Sequence, residues 1–359
     1  MKVLYVTNLP APYKIKFFLL LAKKVELTVA YERRKAENRD AKWICGLQDR
    51  TFEEIYLDGI KTGADTSCSL AVVKLIQNRK FDLIIMNGFS SMTSMLTITY
   101  MQLHKITYWI ACDGMLPNDN SRLREWIKKY LISNAGYYLS PNEITSEVLR
   151  RYGAKEEQIY MYPFSSISET EFATESYDKK IYKRKIGCDG KKIILYVGQF
   201  IYRKGIDVLM KAYEQIRNDE NHLILIGGGG GIEISADLIN NVTIFEFKKS
   251  EELEAYYRAA DVFVLPTRED IWGLVVNEAM AHGTPVVTTE RCGAGLAMVK
   301  NGVNGFIVPV DDSDCLADRI SETIVHSDSM GMAAIQTVND YTLEHMADKT
   351  FEALMDAAR

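Results

Sequence analysis

Ten short runs of β-branched and apolar residues punctuate this chain, and longer helical patterns separate most of them. The first five are KVLYVT, VELTVAY, FDLIIMN, ITYWIA and GYYLSP; the second five are KIILYVG, HLILIG, NVTIFEF, DVFVLP and PVVTTE. Runs that are apolar throughout, rather than alternating, suit strands buried on both faces, as in parallel sheets covered by helices. The expected class is therefore α/β and doubly wound.

At 359 residues the chain is long for one hydrophobic core and suits two domains facing a cleft. The apolar pattern weakens between Pro163 and Lys192, where SSISETEFATESYDKK is polar, and KIILYVG then restarts the series. The expected organisation is a Rossmann-like domain over 1–165, a linker region over 166–191, a second Rossmann-like domain over 192–340, and a C-terminal helix over 341–359 that packs back on the first domain. Residues 1–165 hold 23 Lys and Arg against 17 Asp and Glu, a balance of +6, and the rest of the chain holds 20 against 31, a balance of −11. A basic N-terminal half suits an anionic partner.

The hydrophobic fraction of 47% and charged fraction of 25% are those of a soluble globular protein and exclude disorder. Cys45, Cys68, Cys112, Cys188, Cys292 and Cys315 are scattered, with no C-x-x-C pair and no zinc-like spacing with histidine, and read as reduced thiols. MKVLYVTNLPAPYK has too short an apolar stretch for a signal peptide, and no apolar run reaches the roughly 18 residues of a membrane span. A cytoplasmic protein is expected, with no nucleic-acid partner.

Gly227 to Gly231 follow a strand and formally contain G-x-G. The dinucleotide fingerprint belongs in the first βα turn of its unit, and the first turn of this chain, TNLPAPY, has no glycine. The run reads as a flexible turn near the cleft. In VGQFIYRKGIDVL a strand ends at Gly198 and helical periodicity resumes at Ile206, so Arg203 and Lys204 fall between a strand C-terminus and a helix N-terminus. Open α/β sheets bind ligands there, and the helix adds partial positive charge to the two cations.

In LPTREDIWGLVVNEAMAHGTPVV, Asp270 precedes a helix start at Gly273, and Glu278 lies inside that helix, with seven uncharged residues between the two. A loop carboxylate, the unpartnered amides of the first turn and a helix carboxylate make three contact points for one elongated ligand. Residues 193–310 resemble the donor-binding domain of the family-4 retaining glycosyltransferases of GT-B fold, whose hallmark is E-x7-E after a strand ending in L-P; Asp270 replaces the first Glu. The resemblance implies that Glu278 holds the ribose of a nucleotide, and that Asp270 with the amides of Trp272, Gly273 and Leu274 holds the donor sugar. The family's G-R-x4-K motif falls on Gly198, Gln199 and Lys204, which puts Lys204 on the diphosphate; Arg203 stands in for the arginine that Gln199 replaces. NVTIFEFKKSEELEAYYRAADVFVLP, with Glu246 where glycine is common, and NGVNGFIVPVDDSDCLADRI also resemble the family's pattern.

Asp113, in YWIACDGMLP, falls where relatives place a turn facing the acceptor, and either touches substrate or caps a turn. Asn8, Tyr13 and Lys14, in the first βα loop, are further acceptor-side residues. Asp312 and Asp314 form D-x-D at a turn into a helix, where N-capping is the expected role, and no metal or other cofactor is called for.

The implied function is retaining transfer of a sugar from a UDP- or GDP-linked donor to a saccharide or lipid-linked saccharide, in surface polysaccharide or glycolipid assembly. The alternatives are a sugar-nucleotide epimerase or hydrolase of the same fold, or a non-catalytic partner subunit. In SRLREWIKKYLI, Leu123, Trp126, Ile127, Tyr130 and Leu131 recur at helical spacing and are expected to pack on the sheet. Arg122, Arg124, Lys128 and Lys129 would then face an anionic membrane surface, attaching the protein peripherally to the cytoplasmic face.

Overall fold

The computed structural model describes residues 1–35, 50–118, 121–172, 178–230 and 240–358. Cys45 and Gly231 lie outside them. The chain divides into unit 1, Met1–Phe164 with Leu343–Arg359, and unit 2, Ser165–Thr342.

In unit 1 the order is β1 (Lys2–Thr7), α1 (Pro12–Leu21), β2 (Glu26–Tyr31), β3 (Glu53–Tyr56), the short β4 (Ile60–Lys61) and β5 (Ser67–Cys68), α2 (Ala71–Asn78), β6 (Leu83–Asn87), α3 (Met92–Leu103), β7 (Trp109–Ala111), α4 (Arg122–Ile132), β8 (Tyr137–Ser140), α5 (Glu143–Arg151) and β9 (Ile159–Met161). Seven strands form one sheet in the order β3-β2-β1-β6-β7-β8-β9, every neighbouring pair parallel. The order in which strands are added reverses between β1 and β6, so the carboxyl ends of those two strands flank a crevice of the kind that takes ligands in such sheets.

Unit 2 runs α6 (Lys179–Lys185), β10 (Lys192–Val197), α7 (Ile206–Ile216), β11 (Asn221–Ile226), β12 (Val242–Phe245), α8 (Ser250–Ala259), β13 (Val262–Leu265), α9 (Leu274–Ala281), β14 (Val286–Thr289), α10 (Gly293–Met298), β15 (Gly305–Val308), α11 (Ser313–Val325) and α12 (Ser327–Val338). Its six strands lie in the order β12-β11-β10-β13-β14-β15, all parallel, with the reversal between β10 and β13. Every residue of β13 and β14 is buried, as continuous apolar runs require. The segment expected as a linker contributes α6 to unit 2. There Lys183 Nζ, almost wholly buried, donates to Asp261 Oδ2 at 2.7 Å, and the Ile193 amide donates to the same oxygen at 2.7 Å. The last helix, α13 (Leu343–Asp356), groups with unit 1 and packs against α1.

Two local expectations meet a different packing. Along α4, Ile127, Leu131 and Ile132 turn inward, but Leu123 and Trp126 are 67% and 64% exposed and Tyr130 is also exposed. The helix needs only a narrow apolar edge to seat on the core, so its aromatic stripe faces out rather than onto the sheet. The glycine run is a packing device: a Cβ on Gly227 would overlap the Gly198 carbonyl oxygen, and the Phe200 amide donates to Gly228 O at 2.7 Å. At Gly227 and Gly230 side chains are excluded because the loop after β10 lies against the run. Asp312 is the N-cap of α11, its Oδ1 accepting from the Cys315 amide at 2.9 Å. No helix among the described residues is long and apolar enough to cross a membrane.

Candidate functional site

At the reversal in unit 2 the loops leaving β10 and β13 meet. The first passes from Gly198 through a single helical turn, Tyr202–Lys204, and Gly205 starts α7 with φ of +69°. An added Cβ on Gly205 would overlap the Pro266 carbonyl oxygen, so the two loops touch backbone to backbone. Arg268 fastens them: its amide donates to Arg203 O at 2.8 Å, its guanidinium donates to Tyr202 O at 2.6 Å and grips Asp207 with two bonds of 2.8 and 2.7 Å. Thr267 Oγ1 also donates to Arg203 O, at 3.0 Å.

This brings Lys204 to Asp270, 66 positions away in sequence, in a close ion pair whose two side chains are each 13% exposed. The Asp270 backbone is fixed as well, its amide donating to Arg291 O at 2.9 Å and its carbonyl accepting from Gly293 N at 3.0 Å. Arg203 does not join the pair. It is exposed, and its guanidinium donates to the Glu269 carbonyl oxygen. Gln199 sits where its carbonyl accepts the Tyr196 hydroxyl at 2.8 Å.

Gly273 opens α9 with φ of +98°, and a Cβ there would press on Cys292 Sγ at 3.0 Å and Leu265 Cδ2 at 3.2 Å. Only glycine turns the chain this tightly onto the helix. Among the described residues the N–H groups of Gly273 and Leu274 have no hydrogen-bond partner, which leaves donors and partial positive charge at the helix start. The Trp272 indole is not part of this face: it is 2% exposed and donates through Nε1 to Asn277 Oδ1 at 2.9 Å. Its amide belongs to the turn, while its ring anchors the turn to the core.

Glu278 is the fifth residue of α9 and is half-buried. Tyr257, on α8, donates its hydroxyl to Glu278 Oε2 at 2.9 Å, and Ser166 Oγ reaches Oε1 at 3.4 Å. Burial, and then the neighbouring carboxylate, hold the Tyr257 phenol well above its ordinary range, so it stays a donor. Neither Tyr257 nor Ser166 was visible as a site residue, because tyrosine in a helical run reads as core.

Behind Glu278, His282 stacks on Tyr257 with ring centroids 5.5 Å apart, and its Nδ1 lies 2.7 Å from Glu278 O. Burial lowers the His282 pKa. As pH falls below the ordinary histidine range near 6.5, the unfolded chain takes up a proton that the folded chain refuses, so stability falls with acidification. Wild type should therefore lose more melting temperature between pH 7.5 and 5 than a His282→Gln variant does, read by calorimetry. Parallel losses would show that His282 does not carry the dependence.

The crevice of unit 1 holds a second polar cluster. Lys14 Nζ is nearly buried and lies 3.0 Å from Thr7 Oγ1, 3.1 Å from Asp113 Oδ2, and in a close bond to Asn87 Oδ1. Asn87 Nδ2 donates to Asp113 Oδ1 at 2.8 Å, and Asn8 Nδ2 donates to Asp65 Oδ2 at 2.7 Å. Asp113 is thus held through both oxygens and still 25% exposed. Tyr13 instead packs edge-on to Phe164, with centroids 5.7 Å apart. Thr7 and Asn87 are the additions here, and their signal was legible: each is a polar residue closing an otherwise apolar strand.

Residues 178–334 match the family described as Glycosyl transferases group 1. An uncharacterized glycosyltransferase of Methanocaldococcus jannaschii is 30% identical over 224 residues, which is 58% of this chain and 56% of that protein. The D-inositol 3-phosphate glycosyltransferase of Corynebacterium diphtheriae is 27% identical over 260 residues, 67% of this chain and 60% of its own length. The chain thus spans somewhat over half the length of these relatives. Among solved structures, Anabaena HepE in complex with UDP superposes with a TM-score of 0.79 at 16% identity, covering 99% of this chain and 100% of that one. Sucrose-phosphate synthase from Thermosynechococcus elongatus does so with 0.77 at 20%, covering all of both chains. The fold is GT-B, two parallel-sheet α/β units.

Proposed function

We propose, taking as premise that residues 178–334 form a group 1 glycosyl transferase domain within a GT-B fold, that this chain transfers a sugar from a nucleoside diphosphate donor to an acceptor hydroxyl, with retention at the anomeric carbon. The observation that carries the reading is the meeting of Lys204, Asp270 and the open first turn of α9 at the reversal of the unit 2 sheet. Lys204 faces the diphosphate, Asp270 faces the sugar hydroxyls, the Gly273 and Leu274 amides hold the middle of the ligand between the two, and Glu278 takes the ribose diol. Arg203, exposed at the rim, meets the diphosphate from solvent.

In the step itself the bond from the anomeric carbon to the phosphate oxygen breaks and its electron pair stays on that oxygen. The acceptor oxygen forms the new bond, and its proton passes to the departing diphosphate. Lys204 and the helix-start amides stabilise the charge that develops, the kind of contribution worth about 3–4 kcal/mol for a single donor. Asp113, held by Lys14 and Asn87 in unit 1, orients the acceptor hydroxyl. The acceptor is a saccharide or lipid-linked saccharide, the setting surface polysaccharide or glycolipid assembly, and the place of work the cytoplasmic membrane surface.

UDP and UDP-glucose, the ligands in the Anabaena HepE structures, are the first to try, with GDP and GDP-linked sugars beside them. Thermal shift identifies the nucleotide, and release of nucleoside diphosphate from the matching donors measures turnover. Failure to bind any nucleoside diphosphate would overturn the reading. Binding without turnover of any donor would instead mark a partner subunit.

Glu278→Gln checks the diol assignment. Tyr257 donates to one carboxylate oxygen and Ser166 reaches the other, and a carboxylate accepts at both ends; an amide turns one end into a donor that repels either Tyr257 or Ser166. Nucleoside diphosphate affinity should fall about 10-fold by calorimetry, in line with a hydrogen bond to a charged group. Unchanged affinity would remove Glu278 from the ribose.

A further inference from the structure

The outward stripe of α4 is apolar and exposed. Leu123, Trp126 and Tyr130 recur at intervals of three and four, and the Trp126 and Tyr130 rings stack with centroids 5.9 Å apart at 13°. Leu103, at the end of α3, is 75% exposed, and a groove of about 510 Å³ runs from it past Lys105 to Tyr130. Leu103, Leu123 and Trp126, each more than half exposed, cost solvation free energy in water unless something covers them.

The charges around the stripe say what covers it. On a helical projection Arg122 and Lys129 lie beside Trp126, both exposed, and neither is in an ion pair among the described residues. Lys128 points elsewhere, 5.7 Å from the centre of the Tyr152 ring. The helix's one carboxylate, Glu125, is turned away, accepting the Tyr152 hydroxyl at 2.8 Å and lying 3.4 Å from Arg151. Indole and phenol rings with cations beside them match the headgroup level of a bilayer, where the rings sit among the glycerols and the cations meet phosphates.

We propose that Leu123, Trp126 and Tyr130, with Leu103, insert into the interface of an anionic bilayer while Arg122 and Lys129 pair with lipid phosphates. The proposal deepens the reading above, since it brings unit 1, proposed to hold the acceptor, to a lipid-linked substrate. It differs from attachment through a basic face alone, because the apolar stripe is part of the contact.

Co-sedimentation of the full chain with vesicles, read without substrates, tests it separately from turnover. Wild type should pellet with phosphatidylglycerol–phosphatidylcholine vesicles at low salt and only in part at high salt. Trp126→Ser with Tyr130→Ser should abolish pelleting at every salt concentration, Arg122→Gln with Lys129→Gln should remove the salt-sensitive part, and Lys128→Gln should pellet like wild type. Arg122, Trp126, Lys129 and Tyr130 are exposed and Lys128 is half-buried, and a melting curve checks that each variant folds. Wild type staying in the supernatant at low salt, equal pelleting on pure phosphatidylcholine, or undiminished pelleting of the Trp126 and Tyr130 variant would each overturn the proposal. So would a stripe-dependent dimer in light scattering that leaves vesicles unbound.

Discussion

Lys204→Ala lowers the rate of nucleoside diphosphate release from the donor by roughly 100-fold or more, the loss expected when one preorganised donor is removed from developing charge. The side chain is 13% exposed and its partner is Asp270, so the variant also leaves a carboxylate short of its cation. Melting temperature has to be measured beside the rate: a fold kept within a few degrees with the rate gone places the effect in the transition state. Lys204→Arg restores a cation on a longer fork and should recover part of the rate. An alanine variant within about threefold of wild type would take Lys204 out of the phosphate site.

Asp270→Asn should be nearly inactive, with a loss of about 100-fold, while Asp270→Glu stays measurable but impaired. In the structure Lys204 holds Asp270, so under the proposed function a bound diphosphate would draw on an ammonium group that this carboxylate already holds. The asparagine variant therefore separates two quantities that misfolding would lower together. Nucleoside diphosphate affinity should hold or rise, because Lys204 loses its competing anion, while turnover collapses because the sugar loses its charged acceptor. Equal turnover in all three proteins would show that Asp270 does not touch the sugar.

Much of the architecture was legible because continuous apolar runs are strands with two covered faces, and five such runs on each side of residues 163–192 stand in the two sheets. The motif residues Lys204 and Asp270 were legible as loop residues at strand ends; their ion pair was not, since it depends on where β10 and β13 sit side by side. Ser166 reaches Glu278 from a stretch that looked like linker, and no local pattern announces a contact 112 positions away. The α4 stripe shows a different limit. Helical spacing says which residues share a face, and burial depends on how wide an edge the sheet accepts, which here is Ile127 and Leu131 without Trp126. The glycine run was read as a flexible turn, whereas the side chains missing at Gly227 and Gly230 are clearance for the backbone at Gly198 and Phe200.

Under the proposed function, the contact of Gly205 with the Pro266 carbonyl, fastened by Arg268, bears on how such a protein could acquire a new donor. The two loops are a lock and its striker plate: each lies against the other's backbone, and neither should keep its form when exchanged by itself. A graft that imports only the segment after β13 would bring a foreign residue against Gly205 and strip Asp207 and Tyr202 of their guanidinium partner. Changes of sugar preference should therefore be inherited, or engineered, as a pair of segments more than 60 residues apart in sequence, with single-loop chimaeras selected against for folding before specificity is ever tested.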